Sequence, residues 1–248
     1  MLANAACHAV TVQVQPLVSA DFPGVACQRV DAALGGAHCI FLQGAAGDLN
    51  PVRGCTRDWA DVNAYGRLLG DTILDAALAA TPVGSDGLLL AATSATVAVQ
   101  ARPVPDPVRL EAEWREVEAK LEHLAVTDAA YAGVFQRRNQ LSEARRLAAF
   151  GTDPIPVEVQ ALRLGPAAVI GLPGEIFCAL GCELRRKSPF APTLVAELAN
   201  GCVGYLVPRA GWASGGYEVG LGAWCRVAEG EPERLVETGS RLLASLAD

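Results

Sequence analysis

The stretch Val169-Ile170-Gly171-Leu172-Pro173-Gly174-Glu175-Ile176-Phe177 runs an apolar segment into Gly-Leu-Pro-Gly and then straight onto a carboxylate. The apolar part predicts a buried strand, and the residues after the turn predict a helix from Glu175 to about Lys187. In open α/β sheets, ligand-binding groups gather at the carboxyl ends of strands. A carboxylate placed there can bind a metal, act as a base, or favour a helix N-terminus through the dipole. The role of Glu175 therefore bears directly on what the chain does.

Just upstream, Glu158 to Leu164 and Ala167 to Gly171 read as a hairpin around Gly165-Pro166. Downstream come a strand over Thr193 to Leu198, a Gly-rich aromatic stretch from Asn200 to Trp224, and an amphipathic helix from Glu231 to Leu246. In the first part of the chain, Cys7 to Val14 and Ala37 to Gln43 read as strands. Between them a helix leaves the Ser19 to Gly24 turn and runs to Leu34, closed by Gly35-Gly36. Trp59 to Ala80 predicts a long helix with Pro82 beyond its end, and Leu88 to Ala101 a strand. Val108 to Phe150 differs in character: it is charged and helical, with Glu111/Arg115 and Glu116/Lys120 as i,i+4 pairs. Its plain reading is a solvated helical hairpin packed on one side; the sharper one is a lid or partner-binding element. Strands and helices otherwise alternate. That predicts an α/β fold: a single mixed-sheet domain over residues 1–248 with flanking helices and an inserted helical segment at about 106–150.

The formal net charge of −7 lacks the basic footprint of a nucleic-acid binder, so no nucleic-acid partner is expected. The 51% apolar content suffices for a sizeable core. Yet the longest apolar stretches, such as Leu88 to Val99, are interrupted by Thr and Ser and are well short of the roughly 20 residues of a membrane span. Met1 to Ala6 show neither the basic start nor the apolar centre of a signal peptide, so a cytoplasmic location is the expectation. The eight cysteines form no CxxC pair and read as scattered reduced thiols.

Four places could carry chemistry. His8 lies in the first predicted strand, where a lone histidine is more often structural than a ligand. Asp48-Leu49-Asn50-Pro51 follows a strand and a run of Gly and Ala that lets backbone approach a ligand closely; an Asx turn is the plainer reading. Glu175 is the third. Gly215-Gly216-Tyr217-Glu218 is the fourth, an aromatic in a Gly-rich loop that could equally be an ordered turn. There is no GxSxG, HExxH or P-loop, and His38 and His123 read as structural.

Taken in order, these places resemble the neutral/alkaline non-lysosomal ceramidase family. The similarity runs through Ala6-Cys7-His8, Ser19 to Gly24, Phe41 to Pro51, Ala161 to Gly165, Gly171 to Glu175, Asn200 to Tyr205 and Gly216 to Glu218, and covers nearly everything but the helical segment. The resemblance implies a zinc-dependent amidase that splits an N-acyl bond through a metal-activated water. It places Zn²⁺ ligands on His8, Glu175 and Tyr217, a mixed N/O set suited to an open catalytic site. A small-molecule or lipid amide is the implied substrate.

Two departures qualify that reading. The family's first zinc histidine belongs to a motif upstream of the residue matching Met1, so the chain is expected to hold three of the four ligands and to expose surface that favours a homo-oligomer. Where the family has a serine, this chain has Asn50, which cannot be a nucleophile of that kind but can donate to a developing oxyanion. Asp48 and Asp21 are then the candidate proton acceptors or orienting groups. Alternative readings are a non-catalytic remnant acting as a binding or partner subunit, and an α/β protein in which Glu175 merely starts a helix.

Overall fold

The central sheet is built from strands whose residues alternate between buried and half-exposed. β4 (Ile155–Leu164) buries Val157, Val159 and Ala161 on one face. It pairs antiparallel with β3 (Leu90–Val99) and with β5 (Ala167–Gly171), and β5 pairs parallel with β7 (Thr193–Ala196). The order β3-β4-β5-β7 makes a mixed sheet. The computed structural model describes residues 1–36, 38–81 and 88–247; Ala37 and Pro82, used above to bound a strand and a helix, lie outside them.

One face of this sheet is covered by α5 (Cys178–Lys187) and α7 (Glu231–Ser245), with the short α6 (Arg209–Ser214) between them in the chain. Leu180 and Leu184 of α5 and Leu235, Val236 and Leu243 of α7 join Val159, Ile170 and Val195 in one core. The fold is thus a mixed α/β one, as the alternation of elements predicts. A short parallel pair, β1 (Leu2–Ala5) with β2 (Ile40–Gln43), lies beside β7. The amide of Asn4 joins the two sheets, donating to Leu42 O and Val195 O, both at 2.9 Å. Helices α1 (Asp21–Leu34) and α2 (Trp59–Ala79) pack on each other where Gly66 and Gly70 let the backbones approach.

The charged segment forms the expected hairpin, α3 (Pro107–Glu122) and α4 (Tyr131–Ala148). Leu110, Val117, Leu141 and Ala144 make its own small core, with Leu221 from the Gly-rich stretch packed against it. The two i,i+4 pairs form as predicted, and other charges bridge the helices: Arg138 to Glu118 at 2.7 Å and Arg145 to Glu111 at 2.8 Å. Both arginines also lie over the ring of Trp114.

Two local readings change. Cys7 to Val14 is not a strand; the first strand is Leu2–Ala5. Its alternation serves an irregular segment that bonds to the 49–56 stretch instead: His8 N donates to Leu49 O, while Val10 O and Thr11 O accept from Cys55 N and Thr56 N. Glu175 does not begin a helix either. Glu175–Ile176 is a two-residue strand, β6, drawn into extended form by parallel pairing with β8 (Tyr205–Leu206), and α5 begins only at Cys178. The acid that serves this helix N-terminus is Asp48, whose Oδ1 accepts from Cys178 N at 2.6 Å.

Backbone crowding fixes β6. Gly47 N donates to Ile176 O at 2.8 Å, and a Cβ on Gly47 would stand 2.6 Å from Glu175 O. Gly47→Ala must push β6 and the 44–51 loop apart, so it is expected to lower stability by about 1–3 kcal/mol. Urea unfolding measures this; an unchanged midpoint would mean that the loop lifts away without strain.

Candidate functional site

β6 and β8 place Glu175 and Tyr205 as register partners, so their side chains share a face. Opposite them, the backbone of His8 hangs from the 44–51 loop through its 2.9 Å bond to Leu49 O. His8 Nε2 comes 3.5 Å from Glu175 Oε2. It is buried and meets no hydrogen-bond partner among the described residues. A buried, unpartnered imidazole nitrogen facing a carboxylate is costly to leave as it stands.

Four of the six residues singled out from the sequence come together. His8, Asn50, Glu175 and Tyr217 line one cavity of about 470 Å³, with Tyr205, Glu218, Gln13 and Cys55 also on its wall. An aromatic chain runs along it: His8 meets Tyr205 edge-on, Tyr205 meets Tyr217 edge-on, and Tyr217 stacks on Trp224 at 4.7 Å. Among the described residues no three His, Cys, Asp or Glu side chains form a metal cluster; His8 and Glu175 are the pair, and Tyr217 adds an oxygen of another type.

The other two lie beside this wall. Asp48 directs Oδ1 at the start of α5. Asp21 is buried with a left-handed φ of 50°. Its Oδ2 accepts from Val12 N at 3.0 Å and its Oδ1 from Phe22 N at 2.7 Å. Asp21 thereby ties the segment after His8 to the start of α1.

The electrostatics of the cavity are one-sided. Burial, then the charge of Glu175 and hydrogen bonding to it, with smaller effects of Tyr217 and Glu218, push the Tyr205 phenol well above its ordinary range. Tyr217 shifts the same way through burial and then Glu175, Glu143 and Glu218. The carboxylates that push both phenols up are Glu175 and Glu218, joined at Tyr217 by Glu143, and each disfavours the phenolate through like charge.

Sequence reasoning missed Tyr205, Glu218 and Glu197. The first two stand inside motifs quoted above and could have been marked as polar groups flanking a candidate ligand. Glu197 follows β7 in a segment expected to be strand, where an acid reads as solvent-facing. It is instead 5% exposed, and its Oε2 accepts from Ala46 N at 3.1 Å and Ile176 N at 3.0 Å.

The fold and its cleft define a class: a mixed α/β domain with a His–Glu–Tyr wall beyond the carboxyl ends of its strands. Similarity to solved structures narrows this. The chain superposes on neutral ceramidase from Pseudomonas aeruginosa with a TM-score of 0.66 at 15% identity, covering 99% of this chain and 44% of that one. A ceramidase complexed with C2 gives a TM-score of 0.66 at 14% identity, with 99% and 45% covered. No family profile and no curated protein sequence matches. At such identities the likeness is one of fold, and the chain spans less than half the length of these two. Among the described residues no helix is long and apolar enough to cross a membrane.

Burial above all pushes the Glu197 carboxyl up to about 7, against the pull of its two backbone donors; the charges of Glu175 and Asp48 push the same way. The folded state therefore holds a proton that the unfolded chain releases near 4.5. The stability from this group is complete below that value and is lost as pH rises through about 7. Metal-free wild type should lose stability over that window, on the order of 2–3 kcal/mol, relative to Glu197→Gln. Denaturant titrations at several pH values test it; parallel pH profiles would refute it.

Proposed function

We propose that this chain carries the zinc-binding cleft of a ceramidase-like hydrolase acting on an amide or related bond. The observation that carries this reading is His8 Nε2, without a hydrogen-bond partner among the described residues, facing Glu175 Oε2 at 3.5 Å on a wall shared with Tyr217. Nitrogen and oxygen ligands about 2.0–2.1 Å from a tetrahedral Zn²⁺ lie roughly 3.3 Å apart, close to that spacing. The acid-rich surroundings of Tyr205 and Tyr217 favour a cation too. Zinc held there would supply Lewis acidity to a carbonyl and to a water.

The remaining roles fall to the protein. The Asn50 side-chain amide donates a hydrogen bond to the oxygen that gains charge. Tyr205 keeps its proton on Oη beside Glu175 and can donate it to the departing nitrogen. Asp48 and Asp21 serve as orienting groups, the first by holding Glu175's chain at α5, the second by holding the segment after His8. Tyr217 also lines a second cavity of about 650 Å³ between the helical hairpin and the 217–224 loop, floored by Leu110, Leu141, Leu221 and Trp224. It can take the part of a small-molecule or lipid amide remote from the reacting bond.

A second reading, a non-catalytic binding or partner subunit, is favoured by Asn50 at the position where the resembling family has serine. Zinc content after dialysis and hydrolysis of an N-acyl substrate separate the two. Wild type is expected to retain zinc and turn over. His8→Ala and Glu175→Gln should each weaken zinc binding by more than the roughly 10–100-fold that losing a partner of a ligand costs, and abolish turnover. Tight zinc binding without turnover would favour the subunit reading, and no zinc binding by wild type would sink the metal site.

A further inference from the structure

The distance between His8 and Glu175 is set by what joins two separate segments. His8 is held by Leu49 O, a member of the 44–51 loop, whereas Glu175 belongs to β6. The loop and β6 meet at one place. Gly47 N bonds to Ile176 O, and Glu197 Oε2 accepts from Ala46 N and Ile176 N together. Glu197 is itself anchored, since its N donates to Gln43 O at 3.0 Å, and Gln43 Nε2 donates to Cys7 O at 3.0 Å. One carboxylate oxygen thus closes a ring of bonds that includes the residue before His8, the residue after Glu175, and the loop bearing Asn50.

We infer that Glu197 is a positioning residue: by gripping Ala46 and Ile176 it sets the separation of His8 from Glu175 and the placement of Asn50. The inference rests on the proposed hydrolase site for its functional consequence, but not for its geometry. A purely stabilising role fits less well. Glu197 Oε1 is buried without a partner among the described residues, and a half-satisfied buried carboxylate costs the fold rather than helping it. Its reach is what matters: the side chain spans from the end of β7 to two backbone amides, Ala46 N and Ile176 N, which meet no main-chain acceptor among the described residues.

The variants that read this are Glu197→Gln, which keeps one oxygen acceptor for both amides, Glu197→Ala, which removes it, and Glu197→Asp, which keeps the carboxyl group but shortens the reach by one methylene. The first readout is amide hydrogen exchange in metal-free protein. Glu197→Ala and Glu197→Asp should speed exchange at Ala46, Ile176 and His8, while β4 and β5 amides stay protected and Glu197→Gln stays close to wild type. If Glu197→Ala does not fold, Glu197→Asp carries the test. Unchanged exchange at His8 overturns the inference, as does a Gln variant as fast as the Ala variant, which would make charge the cause.

The second readout is zinc affinity by chelator competition, and kcat and KM for an N-acyl substrate. Loss of placement should weaken zinc binding and lower kcat roughly 10–100-fold with KM little changed, and Glu197→Gln should recover most of both. Wild-type-like zinc affinity and kcat in Glu197→Asp overturn the inference. Should wild type itself bind no zinc, the hydrolase reading fails, and hydrogen exchange alone decides whether Glu197 holds His8 and Glu175 in place.

Discussion

Two short segments lie against each other at backbone contact distance: the 44–51 loop and β6. Gly47 is what permits it, since any side chain there would enter the carbonyl of Glu175. From that contact the rest of the cleft follows. β6 is too short to be stable by itself, and it is held extended on one side by β8 and on the other by the loop. The loop in turn carries Asn50 into the cavity, Asp48 to the start of α5, and Leu49 to the amide of His8. A main-chain junction thus does the work of aligning side chains that are far apart in sequence.

The large sheet has a different task. Its buried face, with Ile170 and Val195 under Leu184, Leu235 and Leu243, supplies most of the hydrophobic free energy and fixes where β5 and β7 end. The cleft lies beyond those ends, in loops that contribute little burial. Separating the stable layer from the polar wall lets the wall hold features that cost stability, among them an imidazole nitrogen with no hydrogen-bond partner among the described residues and a buried carboxyl group whose pKa is raised to about 7.

The helical hairpin has its own small core and its own ion pairs, so it is nearly a unit in itself. Its contact with the sheet domain runs through Leu221 and the cavity shared with Tyr217 and Trp224. Glu111, which reads as half of a solvated i,i+4 pair, also bonds Arg145 across the hairpin, and Arg138 and Arg145 of α4 lie over Trp114 of α3. A hairpin held so firmly is a wall for the second cavity rather than a frayed surface.

Much of this was legible in the residues. Alternation in 155–164 and 167–171 and the amphipathic 231–245 segment specify a sheet and a covering helix, because side-chain period is a local property. The order of short motifs marked His8, Asn50, Glu175 and Tyr217 as related, and they do share one cavity. Three things were not legible. Cys7 to Val14 alternates like a strand but finds its hydrogen bonds across a loop; Glu175 looks like a helix start but is captured by β8; Glu197 looks solvent-facing but is buried. Each depends on which distant backbone arrives to accept or donate. The sequence by itself determined the elements and the chemical identity of the wall. Only the tertiary structure decided that Glu175 faces His8 at 3.5 Å, because that distance is set by hydrogen bonds among segments that are remote in the chain.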